Sequence, residues 1–304
     1  MSISICIPTY NRLPRLKCLL DSIFNGFNDY PYEVVIADGG SKDGTIEYLR
    51  SLDNVTLIEM GKLTGSIKAY NSCFKIAKYE YIFWPADDFV LVPKVLAEAC
   101  QLMDRHKEIA IVAPKMLEPT FSNLPGVELT LKFLVLSKTH IFRTSALREI
   151  NYLDENYRTY AIDDDSCLSL LKLGYTMIFT REVGAIHNRV EDEIWTINQR
   201  IKEKESQQEM DYFWGKWAGV YAKLDEYVSS NPARKYKSIF FKHVCDFIFA
   251  RLAKPAAPES NLSTPRWYDY LLERCVVFKA KGYDHLKDFY MAQKLPQEVL
   301  TKIK

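Results

Sequence analysis

The feature that most limits what this chain can fold into is an alternation of two periods along its first third. Short β-rich runs at 3–7 (ISICI), 33–37 (EVVIA), 55–59, 81–84 and 109–113 are separated by stretches with apolar residues at helical spacing, 13–24, 45–52, 66–77 and 92–106. Strands that alternate with helices in this way give a mostly parallel sheet covered by helices on both faces. Sheets of that kind bind ligands beyond the carboxyl ends of their strands. The most unusual polar clusters lie there: Pro8-Thr9-Tyr10-Asn11-Arg12, Asp38-Gly39-Gly40-Ser41-Lys42-Asp43 and Pro85-Ala86-Asp87-Asp88.

Composition supports a globular reading. Hydrophobic residues make up 48% of the 304, enough for a sizeable core. No stretch has the ~18–20 uncharged apolar residues that a membrane-spanning helix needs. The N-terminus alternates apolar residues with Ser and reaches a turn at once, unlike a signal peptide. The seven cysteines are scattered, with no CxxC pair, which points to buried free thiols in a reducing compartment. A cytoplasmic protein is expected. The formal net charge of +1 argues against general nucleic-acid binding.

Four segments could carry chemistry. Asp38 follows a buried run and opens a Gly-rich turn, where a carboxylate can accept from a ring N–H or a ribose hydroxyl; an ordinary capping turn uses the same residues. Asp87 and Asp88 repel each other unless a cation or donors compensate, and Mg²⁺ or Mn²⁺ binds through such oxygens together with substrate phosphates. A solvated helix cap is the plainer alternative. Asp163-Asp164-Asp165 precede an amphipathic segment, where the helix dipole favours acids, although one cap would suffice. His187 ends the run VGAI, and a lone His is most often structural.

Taken together, SICIPTYNR, VVIADGGSKDGT, the Ser66-to-Asn71 stretch, YIFWPADD, DDDSCLSLLKLGY and the following His resemble family 2 glycosyltransferases of the GT-A fold over residues 3–190. The resemblance implies an α/β, Rossmann-like central sheet flanked by helices, with a helical C-terminal extension. It implies an inverting transfer of sugar from a nucleotide-diphosphate donor, UDP- or dTDP-linked, to a glycan, glycolipid or glycoprotein hydroxyl. Pro8, Tyr10 and Arg12 match the first nucleotide-binding loop, Asp38 the acid that reads the base, and Lys68 a segment that approaches the nucleotide. Asp87 matches the last acid of the metal motif. His187, with Asp88, would complete a Mn²⁺ or Mg²⁺ site, and Asp163 matches the catalytic base. The chain departs from the pattern at Pro85, where the metal motif usually begins with Asp, and at Ile162, where Glu usually precedes the base. Those departures keep a non-catalytic homologue in view. A nucleotidyltransferase would want a Gly-rich basic loop after the first strand, which PTYNRLPR is not.

The composition shifts from net acidic to net basic near residue 200, so a catalytic domain over 1–195 and a helical region over 196–304 are expected. Helical stretches are read at 197–228, including DYFWGKW, at 235–252 and at 267–281, with an exposed Pro/Ala/Ser-rich connection at 253–265. The basic amphipathic stretch 235–252 suits a peripheral contact at the cytoplasmic membrane face. Packing on the catalytic domain, or on a second copy in a homo-oligomer, is the commoner role of such a helix.

Overall fold

The computed structural model describes all residues except 1, 28–29, 119–121, 126–133, 135, 159, 189–190, 234–277, 284, 287 and 304. The expectations for 235–252 and 253–265, and most of that for 267–281, fall outside the described residues.

The N-terminal half builds the expected alternation. Strand β1 (Ile3–Thr9) leads to α1 (Leu13–Phe24), β2 (Tyr32–Asp38), α2 (Thr45–Arg50), β3 (Val55–Glu59), α3 (Ser66–Ile76) and β4 (Tyr81–Phe83). A short β5 (Phe89–Leu91) precedes α4 (Pro93–Arg105) and β6 (Ile109–Glu118). Next come β7 (Ser122–Pro125), β8 (Ile141–Arg143), α5 (Thr144–Glu149), α6 (Ile162–Lys172), β9 (Thr176–His187) and a long α7 (Glu193–Ser229). The chain ends with β10 (Phe289–Gln293) and α8 (Gln297–Ile303).

One sheet runs through the molecule in the order β10-β9-β6-β8-β4-β1-β2-β3, with β5 on β9 and β7 on β6. The β4-β1-β2-β3 portion is parallel, as the alternation requires. β1, β4 and most of β2 are buried, whereas the edge strand β3 is partly exposed. Helices α1, α2 and α4 cover one face, and α3, α5, α6, α7 and α8 the other. Leu16, Leu19, Leu20 and Ile23 form the buried stripe of α1, each worth about 1.5–3 kcal/mol in water-excluded surface. Cys6, Cys73, Cys100 and Cys167 are buried free thiols, and Cys18 is exposed.

The C-terminal third differs from its expectation. It is not a purely helical extension, because β10 returns to the sheet and pairs antiparallel with β9. Lys279, inside the third helix candidate, makes a β-bridge with Gln293 instead. Phe213, Trp217, Tyr221 and Leu224 of α7 belong to the same core cluster as α3 and α6. No described helix is long and apolar enough to cross a membrane.

Candidate active site

The parallel register puts the polar loops side by side. Thr9 is level with Asp38 across β1 and β2. Asn11 takes a left-handed backbone (φ 51°), a conformation Asn tolerates better than most residues. It accepts from the Lys42 N–H at 2.7 Å and donates its own N–H to Ser41 Oγ at 2.8 Å, locking the first loop to the second. Gly40 also has a positive φ of 89°, and a Cβ there would lie 2.9 Å from the Gly61 carbonyl oxygen, so only glycine fits.

Asp38 is held within its own turn. Its carboxylate is buried and accepts from the N–H groups of Gly40 and Ser41, both at 2.8 Å, and from Ser41 Oγ at 2.6 Å. It shapes the turn that closes the strand end.

Two cavities lie beyond the strand ends and share Ser66, Tyr70 and Ala86. The first, about 290 Å³, is walled by Pro8, Tyr10, Arg12, Gly39, Asp87 and Arg158, among others, with Ile194 and Ile197 of α7 on its rim. The second, about 200 Å³, receives Asp163, His187, Glu118 and Lys138. Pro8, Tyr10, Arg12 and Asp87 thus converge on one cavity, and Asp163 and His187 on its neighbour. Lys68 joins neither: Ser66, Ala69 and Tyr70 form the cavity-facing side of α3, and Lys68 is exposed off that side.

Between the cavities sits a buried charge network. Arg12 Nη1 donates to Asp87 Oδ1 at 2.9 Å and to Asp88 Oδ2 at 3.2 Å. On its other side, Nη2 donates to Asp192 Oδ1 at 2.9 Å and Nε lies 2.8 Å from Oδ2. Thr9 Oγ1 donates to Asp87 Oδ2 at 2.8 Å. Burial, with Asp88 alongside, pushes the Asp87 carboxyl up to about 6 against the pull of Arg12. Burial would raise Asp88 too, but the hydrogen bond and charge of His187 and the charge of Arg12 hold it below the usual range.

The expected three-ligand metal site does not form. His187 places Nε2 at 3.1 Å from Asp88 and Nδ1 at 3.0 Å from Glu118. Burial alone would lower its pKa, yet these two carboxylates raise it and favour the imidazolium. Asp87 and Asp88 already share the Arg12 guanidinium, and among the described residues no group of three His, Cys, Asp or Glu side chains converges as a metal site. The oxygen chemistry of Asp87 and Asp88 fits a hard cation, and His187 is held between Asp88 and Glu118.

The three consecutive acids of α6 separate by direction, as residues 100° apart must. Asp163 faces the second cavity. Asp165 is 3% exposed and turned to α7, accepting from Trp217 Nε1 at 2.7 Å and Tyr157 Oη at 3.1 Å, with Lys216 Nζ at 2.8 Å. Asp164 is buried. Ala161, just before the helix, is held at φ 57°, a strained conformation for a residue with a Cβ. The restraint comes from α7: Glu209 accepts from the N–H groups of Arg158 and Tyr160, and Lys216 and Tyr212 bind Asp154 at 2.9 and 2.8 Å.

A sequence profile for glycosyl transferase family 2 matches residues 4–166, which hold every strand-end loop just described and the start of α6. The chain belongs to glycosyl transferase family 2. Within it, the chain is 29% identical over 119 residues to a chondroitin synthase of Escherichia coli, covering 37% of this chain and 17% of that protein. It is 36% identical over 97 residues to a poly(ribitol-phosphate) beta-glucosyltransferase of Bacillus spizizenii, covering 30% and 15%. It is 30% identical over 114 residues to a dolichol-phosphate mannosyltransferase of Pyrococcus furiosus, covering 36% and 32%. The matches therefore span a third or less of each curated relative.

Solved structures share the fold. TarS residues 1–349 of S. aureus, in complex with UDP-GlcNAc, superimposes with a TM-score of 0.54 at 22% identity, covering 64% of this chain and 60% of that one. The mannosyltransferase PcManGT of Pyrobaculum calidifontis, in complex with GDP-Man and Mn²⁺, gives 0.51 at 16% identity, covering 94% and 70%. The fold is the GT-A fold of these glycosyltransferases.

Sequence reasoning missed Arg158, Asp192 and Glu118 in this site. Asp192 carries only the signal of a helix cap, accepting from the Trp195 N–H at 2.8 Å. Nothing in the residues around Arg158 or Glu118 marks them.

Proposed function

We infer that this family 2 chain is an inverting glycosyltransferase: the first cavity takes the nucleoside diphosphate, and the second takes the transferred sugar and the attacking acceptor hydroxyl. The observation that supports this most is Asp163, a carboxylate set on the wall of the second cavity beside the donor cleft. Tyr10 and Gly39 pack against each other on the wall of the first cavity, and the Tyr10 ring offers an aromatic surface there for a base. TarS with UDP-GlcNAc and PcManGT with GDP-Man show this fold accepting sugar nucleotides of both base types. UDP- or dTDP-linked donors stay the first choice, and a hydroxyl of a glycan, glycolipid or glycoprotein the acceptor.

The transfer is a single displacement. The acceptor oxygen bonds to the anomeric carbon as its proton passes to Asp163. The bond to the diphosphate breaks, and its electron pair goes to the leaving phosphate oxygen. Attack on the face opposite the leaving group inverts the configuration. General-base help of this kind contributes ~10²–10⁴-fold in rate. Glu118, a second carboxylate of that cavity, is bound to His187 and is not set to form a covalent sugar intermediate. The PcManGT complex carries Mn²⁺, which a Mg²⁺- or Mn²⁺-binding role for Asp87 would parallel. The displacement above uses only the chain's own residues.

The test is to incubate the protein with UDP-, dTDP- and GDP-sugars and candidate acceptors, following nucleoside diphosphate release and the product anomer by NMR. One donor should release its diphosphate and give an inverted linkage. A retained linkage would refute the single displacement.

A further inference from the structure

A sugar nucleotide brings a diphosphate, and a cleft that binds it must meet that charge. Among the described residues lining the first cavity, two carry a permanent positive charge, Arg12 and Arg158. Arg12 is committed. Its side chain is 10% exposed and surrounded by Asp87, Asp88 and Asp192, and withdrawing it would strand buried carboxylates.

Arg158 is built the opposite way. Its backbone is fixed on the cavity wall: the N–H donates to Glu209 Oε1 at 2.7 Å, and the carbonyl accepts from Ser66 Oγ at 3.4 Å. Glu209 is itself 6% exposed. The Arg158 side chain is 55% exposed, and its guanidinium rests on Glu205 of α7, with Nη1 at 2.7 and 2.9 Å from the two carboxylate oxygens. An exposed pair of this kind contributes little and exchanges readily.

We propose that Arg158 is the diphosphate-binding residue of the cleft, exchanging Glu205 for phosphate oxygens when the donor enters. The assignment rests on the donor-site reading above. A guanidinium meets two phosphate oxygens with two parallel N–H groups, which suits a mobile side chain on a fixed backbone. The position links two tasks. Arg158 stands five residues before Asp163, so one stretch clamped by α7 presents a cation to the leaving group and a carboxylate to the acceptor.

The experiment uses the full chain and its Arg158→Ala, Arg158→Lys and Glu205→Gln variants. Affinities for UDP, dTDP and GDP, and for uridine, thymidine and guanosine, are measured by calorimetry or ligand-competition NMR. For the diphosphate that wild type prefers, Arg158→Ala should weaken binding ~10–100-fold while leaving the matching nucleoside unchanged. Arg158→Lys should recover part of the loss, and Glu205→Gln should tighten the diphosphate. Equal diphosphate affinity in wild type and Arg158→Ala, or an equal loss for diphosphate and nucleoside, would overturn the Arg158 assignment alone. A folded wild type that binds no nucleoside diphosphate would overturn the donor reading and this assignment with it.

Discussion

Trp217 of α7 donates its indole N–H to the buried carboxylate of Asp165 at 2.7 Å, so α7 is bonded to α6, the helix that carries Asp163. Trp217→Phe keeps most of the packing but removes one donor from a buried acid. The expected loss is about 1–3 kcal/mol of stability, read by denaturant unfolding. The effect on kcat should exceed that on donor KM, because the altered contact lies behind the base and not at the first cavity. A variant with wild-type stability and kcat would show that α7 does not support α6.

Asp192 joins two elements: it caps α7 and takes one side of the Arg12 guanidinium. Asp192→Ala should cost ~1 kcal/mol for the cap alone. It should also release Arg12 from one of its three carboxylates and loosen Ile194 and Ile197 at the cavity rim. Donor KM is expected to rise more than kcat falls. An unchanged KM would mean that the rim of α7 does not shape the cleft.

His140 gives the fold a pH dependence. It is fully buried against Phe142 and Trp84, and burial lowers its pKa to about 3 from the usual 6.5. The folded state keeps it neutral while the unfolded chain protonates it below 6.5. Its contribution is therefore complete above pH 6.5 and lost as pH falls toward 3, by ~1.4 kcal/mol per unit. His140→Gln removes that slope. Melting temperatures between pH 7.5 and 5 should fall less steeply in the variant than in wild type, and parallel curves would refute the assignment.

The parallel half of the sheet and its strand-end loops were legible in the sequence because each depends on local periodicity. The positions of Tyr10, Arg12, Asp87 and Asp163 followed from being next to a strand or helix end. What Arg12 touches did not follow: its partners lie 75, 76 and 180 residues away, and only the folded sheet brings them together. The same holds for His187, whose acidic partners Asp88 and Glu118 are brought to it only by the folded sheet. Lys68 and Asp38 are different. The helical spacing of Ser66, Ala69 and Tyr70 already places Lys68 off their face, and Asp-Gly-Gly-Ser already spells a self-capping turn. Strand β10 was hidden because FYMAQ is short and only the folded chain brings it beside β9.

The most direct measurement of the central claim is the rate of nucleoside diphosphate release, with donor affinity measured in parallel, for wild type and Asp163→Asn. The account expects turnover to drop ~10²–10⁴-fold with donor affinity unchanged, because the amide keeps the shape of the second cavity but cannot take the acceptor's proton. Near-normal turnover in Asp163→Asn would contradict it and move the base to another residue.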